Sequence, residues 1–149
     1  MKKIVAALDF SDATPAVVEA ASKMATAFGA ELLLVHIMEP EPTYSAYGFT
    51  PEEFPAIHSF QREARSRAEH ALGAQKERVP DSVSTRTTLL EGNPLHELLG
   101  FATDQEADLV VLGSHGHGVV ASVLLGSVAE GVVRKAEIPA LVVPAPHRK

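Results

Sequence analysis

Residues 107–144, ADLVVLGSHGHGVVASVLLGSVAEGVVRKAEIPALVVP, decide the fold. Asp108 to Leu112 is a short, β-branched apolar run that stops at Gly113 and reads as a buried parallel strand. Gly113, Gly116 and Gly118 then crowd into a loop too rich in glycine for a helix interior. From Gly126 and Ser127 the pattern turns helical, with Val128, Val132 and Ala136 at four-residue steps. Ala140 to Val143 is a second apolar run, closed by Pro144. Strand, loop, helix and strand make a βαβ unit whose loop opens at the carboxyl end of its first strand.

That loop is suited to an anion. Glycines let the backbone reach positive φ and let its N–H groups approach a ligand with no Cβ between them. Gly126-Ser127 stands where a helix begins, so free N–H groups and the positive end of the helix dipole point the same way. The Ser127 hydroxyl is placed to cap that helix or to meet a phosphate oxygen.

Outward from this unit the chain keeps alternating. Ile4 to Leu8 is a wholly apolar strand suited to the centre of a parallel sheet. Ser11, Asp12 and Thr14 offer helix caps, Pro15 fits a first turn, and Val17, Ala21, Met24 and Phe28 form a stripe that ends at Gly29. Leu32 to Ile37 is a second buried strand. Residues 38–55 carry four prolines, two tyrosines and a glycine, a loop with the composition of a lid. Ile57, Phe60, Ala64, Ala68, Ala71 and Leu72 trace the inner face of a long helix, and Arg62, Glu63, Arg65, Arg67 and Glu69 its solvated face. Val83, Thr85, Thr87 and Leu89 alternate with polar residues, the mark of an edge strand. Asn93 is a helix cap with Pro94 at the first position, and Leu95, Leu98, Leu99 and Ala102 face inward behind them. Five strands and four helices in alternation predict one α/β domain over residues 1–149, a doubly wound, mostly parallel sheet.

Composition narrows the function. A net charge of −6 without any dense Lys/Arg run argues against a general binder of nucleic acid or anionic membranes. No cysteine is present, so disulfides, Cys-ligated zinc and thiol chemistry are out. The opening MKKIVAALDF is too short in apolar residues for a signal peptide, and no later run approaches a membrane span, so a cytoplasmic protein is expected.

The spacing Gly113-x2-Gly116-x9-Gly126-Ser127 resembles the nucleotide-binding motif of the universal stress protein family, in its ATP-binding branch. The resemblance extends to the opening Ile4-Val5-Ala6-Ala7-Leu8-Asp9-Phe10-Ser11, the Leu34-Val35-His36-Ile37 strand, the Glu91-Gly92-Asn93-Pro94 turn and the run Ile138 to Pro144. It implies a Rossmann-like five-stranded sheet of order 3-2-1-4-5 with helices on both faces, and ATP with Mg2+ as ligand. On that order the ends of strands 1 and 4 lie side by side at a topological switch point. The resemblance further implies that Asp9 meets ribose hydroxyls or a phosphate-bound metal and that Ala7 and Ile37 line the adenine. It makes Gly113, Gly116, Gly126, Ser127 and Val128 the phosphate cradle, with Ser114 and His115 close by. Some relatives carry proline where this chain has Ala7, and alanine leaves that wall less rigid.

Plainer readings stand beside these. Asp9 also fits a residue that caps or precedes the first helix, and His36 a packed, hydrogen-bonded core histidine. His115 and His117 are spaced like a metal pair but lie in a loop with no third ligand evident, so no metal site is expected there. The chain lacks G-x-x-x-x-G-K-[ST] and any obvious nucleophile–base pair, so hydrolysis is expected to be absent or slow. The expected function is a nucleotide-dependent regulatory module in the stress response. The alternatives are a slow ATPase or phosphotransferase, or a scaffold of the same fold that takes no nucleotide. Ala140 to Val143, an apolar run at a sheet edge between Pro139 and Pro144, is the expected homodimer contact.

Overall fold

The computed structural model describes residues 1–40, 55–115 and 125–146. In it β1 (Lys3–Ala7), β2 (Glu31–Met38), β3 (Thr85–Glu91), β4 (Leu109–Gly113) and β5 (Ala140–Val143) alternate with α1 (Thr14–Phe28), α2 (Pro55–Glu77), α3 (Pro94–Asp104) and α4 (Ser127–Lys135). All neighbouring strands are parallel and the order is β3-β2-β1-β4-β5. The doubly wound Rossmann-like sheet is therefore as expected. The lid-like loop falls mostly on residues 41–54, which lie outside the described residues.

The period-2 alternation of the strands splits the core in two. Ile4, Ala6, Leu32, Leu34, Leu109 and Val111 turn toward Val17 and Ala21 of α1 and Leu72 of α2. Val5, Leu33, Val35, Val110 and Leu112 turn the other way, onto Leu98 and Ala102 of α3 and Ala129 and Val132 of α4. One pair of helices thus covers each face, and the apolar central strands are buried on both sides.

Three local expectations are corrected. Phe28 and Phe60, assigned inward-facing positions, are 50% and 55% exposed. Ser11, Asp12 and Thr14 do not cap α1: its N-cap is Ala13, without a side-chain cap bond. The side-chain oxygens are spent one step earlier, Asp9 Oδ1 accepting from Ser11 N at 2.9 Å and Ser11 Oγ from Ala13 N at 3.3 Å. By contrast Asn93 caps α3 as expected, accepting from His96 N at 3.0 Å, with Pro94 at the start of the helix.

Asp108 fastens the sheet at its opposite end. Its carboxylate accepts from Lys2 N at 2.6 Å and Lys3 N at 3.1 Å, tying the start of β4 to the start of β1. The two backbone donors hold its pKa below the ordinary carboxylate value. A depressed pKa contributes stability above the unfolded-state value that disappears as pH falls through the folded-state value. Asp108→Ala should accordingly lower the melting temperature at neutral pH and lose that difference from the unmodified chain under strong acid. Melting scans across pH check this; a difference that persists unchanged into acid contradicts the clamp.

Candidate functional site

The C-terminal ends of β1 and β4 diverge toward helices on opposite faces, which opens a cleft between them. Its volume is about 470 Å³, and its walls include Ala7, Asp9, Thr14, His36, Ile37, Pro94, Leu98, Gly113, Ser114, His115 and the start of α4. Nine of the ten residues expected at a ligand site, namely Ala7, Asp9, Ile37, Gly113, Ser114, His115, Gly126, Ser127 and Val128, line this one cleft. The tenth, Gly116, and with it His117 and Gly118, lie outside the described residues.

On the α4 side, Gly126 is the N-cap in extended backbone and Ser127 is the first helical residue. Glu130 N donates to Gly126 O at 2.9 Å as the first intrahelical bond. The N–H groups of Ser127, Val128 and Ala129 precede it and have no partner within the helix. Gly126 N is not among the open donors, because it gives its proton to Ser114 O at 2.6 Å. Ser127 itself is exposed. Helix geometry thus presents three N–H groups and the positive dipole end to one wall of the cleft.

Ser114 holds that wall in place. Its N donates to Val143 O at 2.8 Å and its Oγ accepts from Ala145 N at 3.1 Å. The same hydroxyl lies 2.9 Å from His115 Nδ1. One 7%-exposed residue therefore ties the ends of β4 and β5 to the cap of α4. Gly113 serves by lacking a side chain: a Cβ there would stand 3.3 Å from Ala13 Cβ and 3.4 Å from His115 O. Neither Gly113 nor Gly126 uses positive φ, contrary to the general expectation for the loop glycines. Close approach, not a left-handed backbone, is what Gly113 requires.

On the β1 side, Phe10 takes the left-handed conformation at φ 59°, uncommon for a bulky residue. Its ring packs on His36 with centroids 4.4 Å apart, and His36 Nδ1 lies 2.6 Å from Leu8 O. A carbonyl only accepts, so Nδ1 carries the proton and donates. This arrangement fixes the strained turn that carries Asp9. Asp9 is exposed, with Oδ1 engaged by Ser11 N, so it serves the turn and faces the cleft at once. His36 is hydrogen-bonded as expected but only half-buried, and it forms part of the cleft wall. Thr14 was missed as a lining residue: its position in the chain signals only a helix start. Among the described residues no group of three or more His, Cys, Asp or Glu converges to hold a metal.

Residues 1–144 match the sequence model of the Universal stress protein family. The chain belongs to the universal stress protein family. It is similar to a universal stress protein of Thermus aquaticus, 35% identical over 142 residues that cover 95% of this chain and 98% of that one. Among solved structures, the universal stress protein UspA of Lactobacillus plantarum matches with a TM-score of 0.82 at 24% identity, over 95% and 97% of the two chains. A universal stress protein in complex with cAMP matches with a TM-score of 0.60 at 27% identity, over 97% and 98%. The likeness in fold extends over nearly the whole of each of these chains.

Proposed function

We propose that this chain binds ATP with magnesium in the cleft and works as a nucleotide-dependent regulatory module of the cytoplasm rather than as an enzyme. The observation that carries this reading is the start of α4, whose three open N–H groups face the cleft across from Asp9. Phosphate oxygens suit those donors, ribose hydroxyls suit the Asp9 carboxylate, and the apolar wall of Ala7 and Ile37 suits a purine. The cAMP complex of a 27%-identical relative supports an adenine nucleotide as the class. Magnesium enters with the phosphates on this account, since the described residues offer no ready-made metal centre.

Hydrolysis has little to work with. No Lys or Arg stands among the described residues of the cleft wall, so no side-chain cation there assists magnesium in neutralising charge developing on a transferred phosphoryl group. Turnover should fall far below the roughly 1–10³ per second typical of enzymes. Denaturing freshly purified protein and analysing the supernatant should release adenine nucleotide still carrying its terminal phosphate. Phosphate release at enzyme-like rates, abolished by His115→Ala, would favour the ATPase reading instead.

The homodimer expected through β5 belongs to the same proposal. Val110 N donates to Pro139 O and Ser114 N to Val143 O, so the carbonyls of alternate β5 residues point at β4. The N–H and C=O of Ala140 and Val142 then face the open edge. Val142→Pro removes one outward donor and leaves the β4 ladder intact. Sedimentation at micromolar concentration should show a dimer for the unmodified chain and a folded monomer for Val142→Pro; a dimer in both places the interface elsewhere.

A further inference from the structure

β1 and β2 separate at one hydrogen bond. Their register runs to Ala7 opposite Val35, and Leu8 N still donates to Val35 O at 2.8 Å. In a continued parallel ladder the next bond would run from Ile37 N to Leu8 O. Here Leu8 O accepts from His36 Nδ1 at 2.6 Å, and the register goes no further. A side chain of β2 thus engages β1 at the point where the ladder stops and the cleft begins.

The turn that follows is held against its own preference. Phe10 sits at φ 59°, where a bulky side chain is disfavoured and glycine is at ease. A residue stays in such a conformation only when its surroundings over-determine it. The Phe10 ring lies 4.4 Å from the His36 ring, centroid to centroid, and packs against the core on the α1 side. Beyond it, Ser11 N donates to Asp9 Oδ1 at 2.9 Å. Asp9 stands between the two residues that His36 holds, Leu8 and Phe10, and it is exposed in the cleft wall.

We infer that His36 is a positioning residue for the ligand: bonded to Leu8 and packed on Phe10, it holds the Asp9 carboxylate where the nucleotide meets it. The inference rests on the reading of the cleft as a nucleotide site with Asp9 as one of its contacts. It assigns the imidazole no ligand contact of its own. The contribution of His36 to affinity therefore passes through Asp9 and vanishes when that carboxylate is gone. A residue needed only for folding would alter the melting temperature and leave the affinity of the folded protein alone.

A double-mutant cycle with Asp9, read by titration calorimetry with ATP and magnesium, tests this. His36→Leu removes the donor and should weaken ATP binding about tenfold, part of the factor of about 10 to 100 assigned to the carboxylate. In the Asp9→Ala background the same substitution should change affinity by less than about twofold. His36→Asn, whose side-chain nitrogen takes nearly the place of Nδ1, should restore most of the affinity. His36→Gln, whose nitrogen lies further out, should not. Phe10→Gly keeps the left-handed backbone without strain but drops the ring. It should also weaken ATP binding, again only while Asp9 is present, and it carries the test if His36→Leu does not fold. Equal losses with and without the Asp9 carboxylate, or no loss in a folded His36→Leu or Phe10→Gly protein, overturn the positioning role and leave the nucleotide site standing. So does an Asp9→Ala protein that binds ATP normally. An unmodified chain that binds no ATP removes the nucleotide reading, and this role with it.

Discussion

Gly126→Val should weaken ATP binding about a hundredfold or more, because two charge-assisted hydrogen bonds worth roughly 1.5–3 kcal/mol each are put out of reach. Gly126 is buried, lines the cleft and immediately precedes the open N–H groups of Ser127 and Val128. Its backbone lies at φ −68° and ψ 164°, which any residue adopts, and its N–H is already bonded to Ser114 O. The valine therefore keeps the backbone conformation and the Ser114 bond of the helix cap within reach. Its cost falls on the space that phosphate must enter. Calorimetric titration beside a melting curve separates the two effects: a folded Gly126→Val protein with unchanged affinity removes the phosphates from the start of α4.

The second large effect is at Asp9. Its carboxylate accepts one bond from Ser11 N, so Asp9→Ala should lose about 1 kcal/mol of stability whatever the ligand does. If the carboxylate also holds ribose hydroxyls or phosphate-bound magnesium, affinity should fall by a further factor of about 10 to 100. A residue that merely shapes the turn would show the first loss without the second. Asp9→Asn refines the result, since it keeps an oxygen for Ser11 N and gives up the charge. Near-normal stability with weakened ATP binding is the expected outcome for that variant.

The strands were legible because the central ones are mostly apolar runs, with His36 interrupting β2, and the edge strand β3 alternates, as burial on two faces and on one face requires. Their order came from the family resemblance, since no local pattern in β1 or β4 says which strand lies beside which. Where the reading of helix faces failed, helix length is the reason. At 1.5 Å per residue α2 runs about 34 Å, while β3 at 3.3 Å per residue covers about 23 Å. A helical stripe continues past the end of the sheet beneath it, so Phe60 near the start of α2 and Phe28 at the end of α1 sit on the right stripe with little under them.

At the site, the family resemblance indicated which positions gather at the cleft but not what each atom does there. Ser114, expected beside the ligand, lines the cleft and is also bonded to β5 and the α4 cap. Gly126 looked like a phosphate donor and spends its N–H on Ser114 O. Thr14 looked like a cap, and its buried hydroxyl finds no hydrogen-bond partner among the described residues. Each of these depends on how the end of one element meets another far away in the chain. Period and propensity carry no such information.

The central claim is that this cleft takes a phosphorylated adenine nucleotide. Titrating the unmodified full chain, first freed of any bound nucleotide, with ATP in the presence of magnesium tests it most directly. Saturable binding of one ATP per chain, stronger than that of adenosine and lost in Gly126→Val, is the predicted result. A folded, nucleotide-free protein that shows no saturable ATP binding up to millimolar concentration contradicts it.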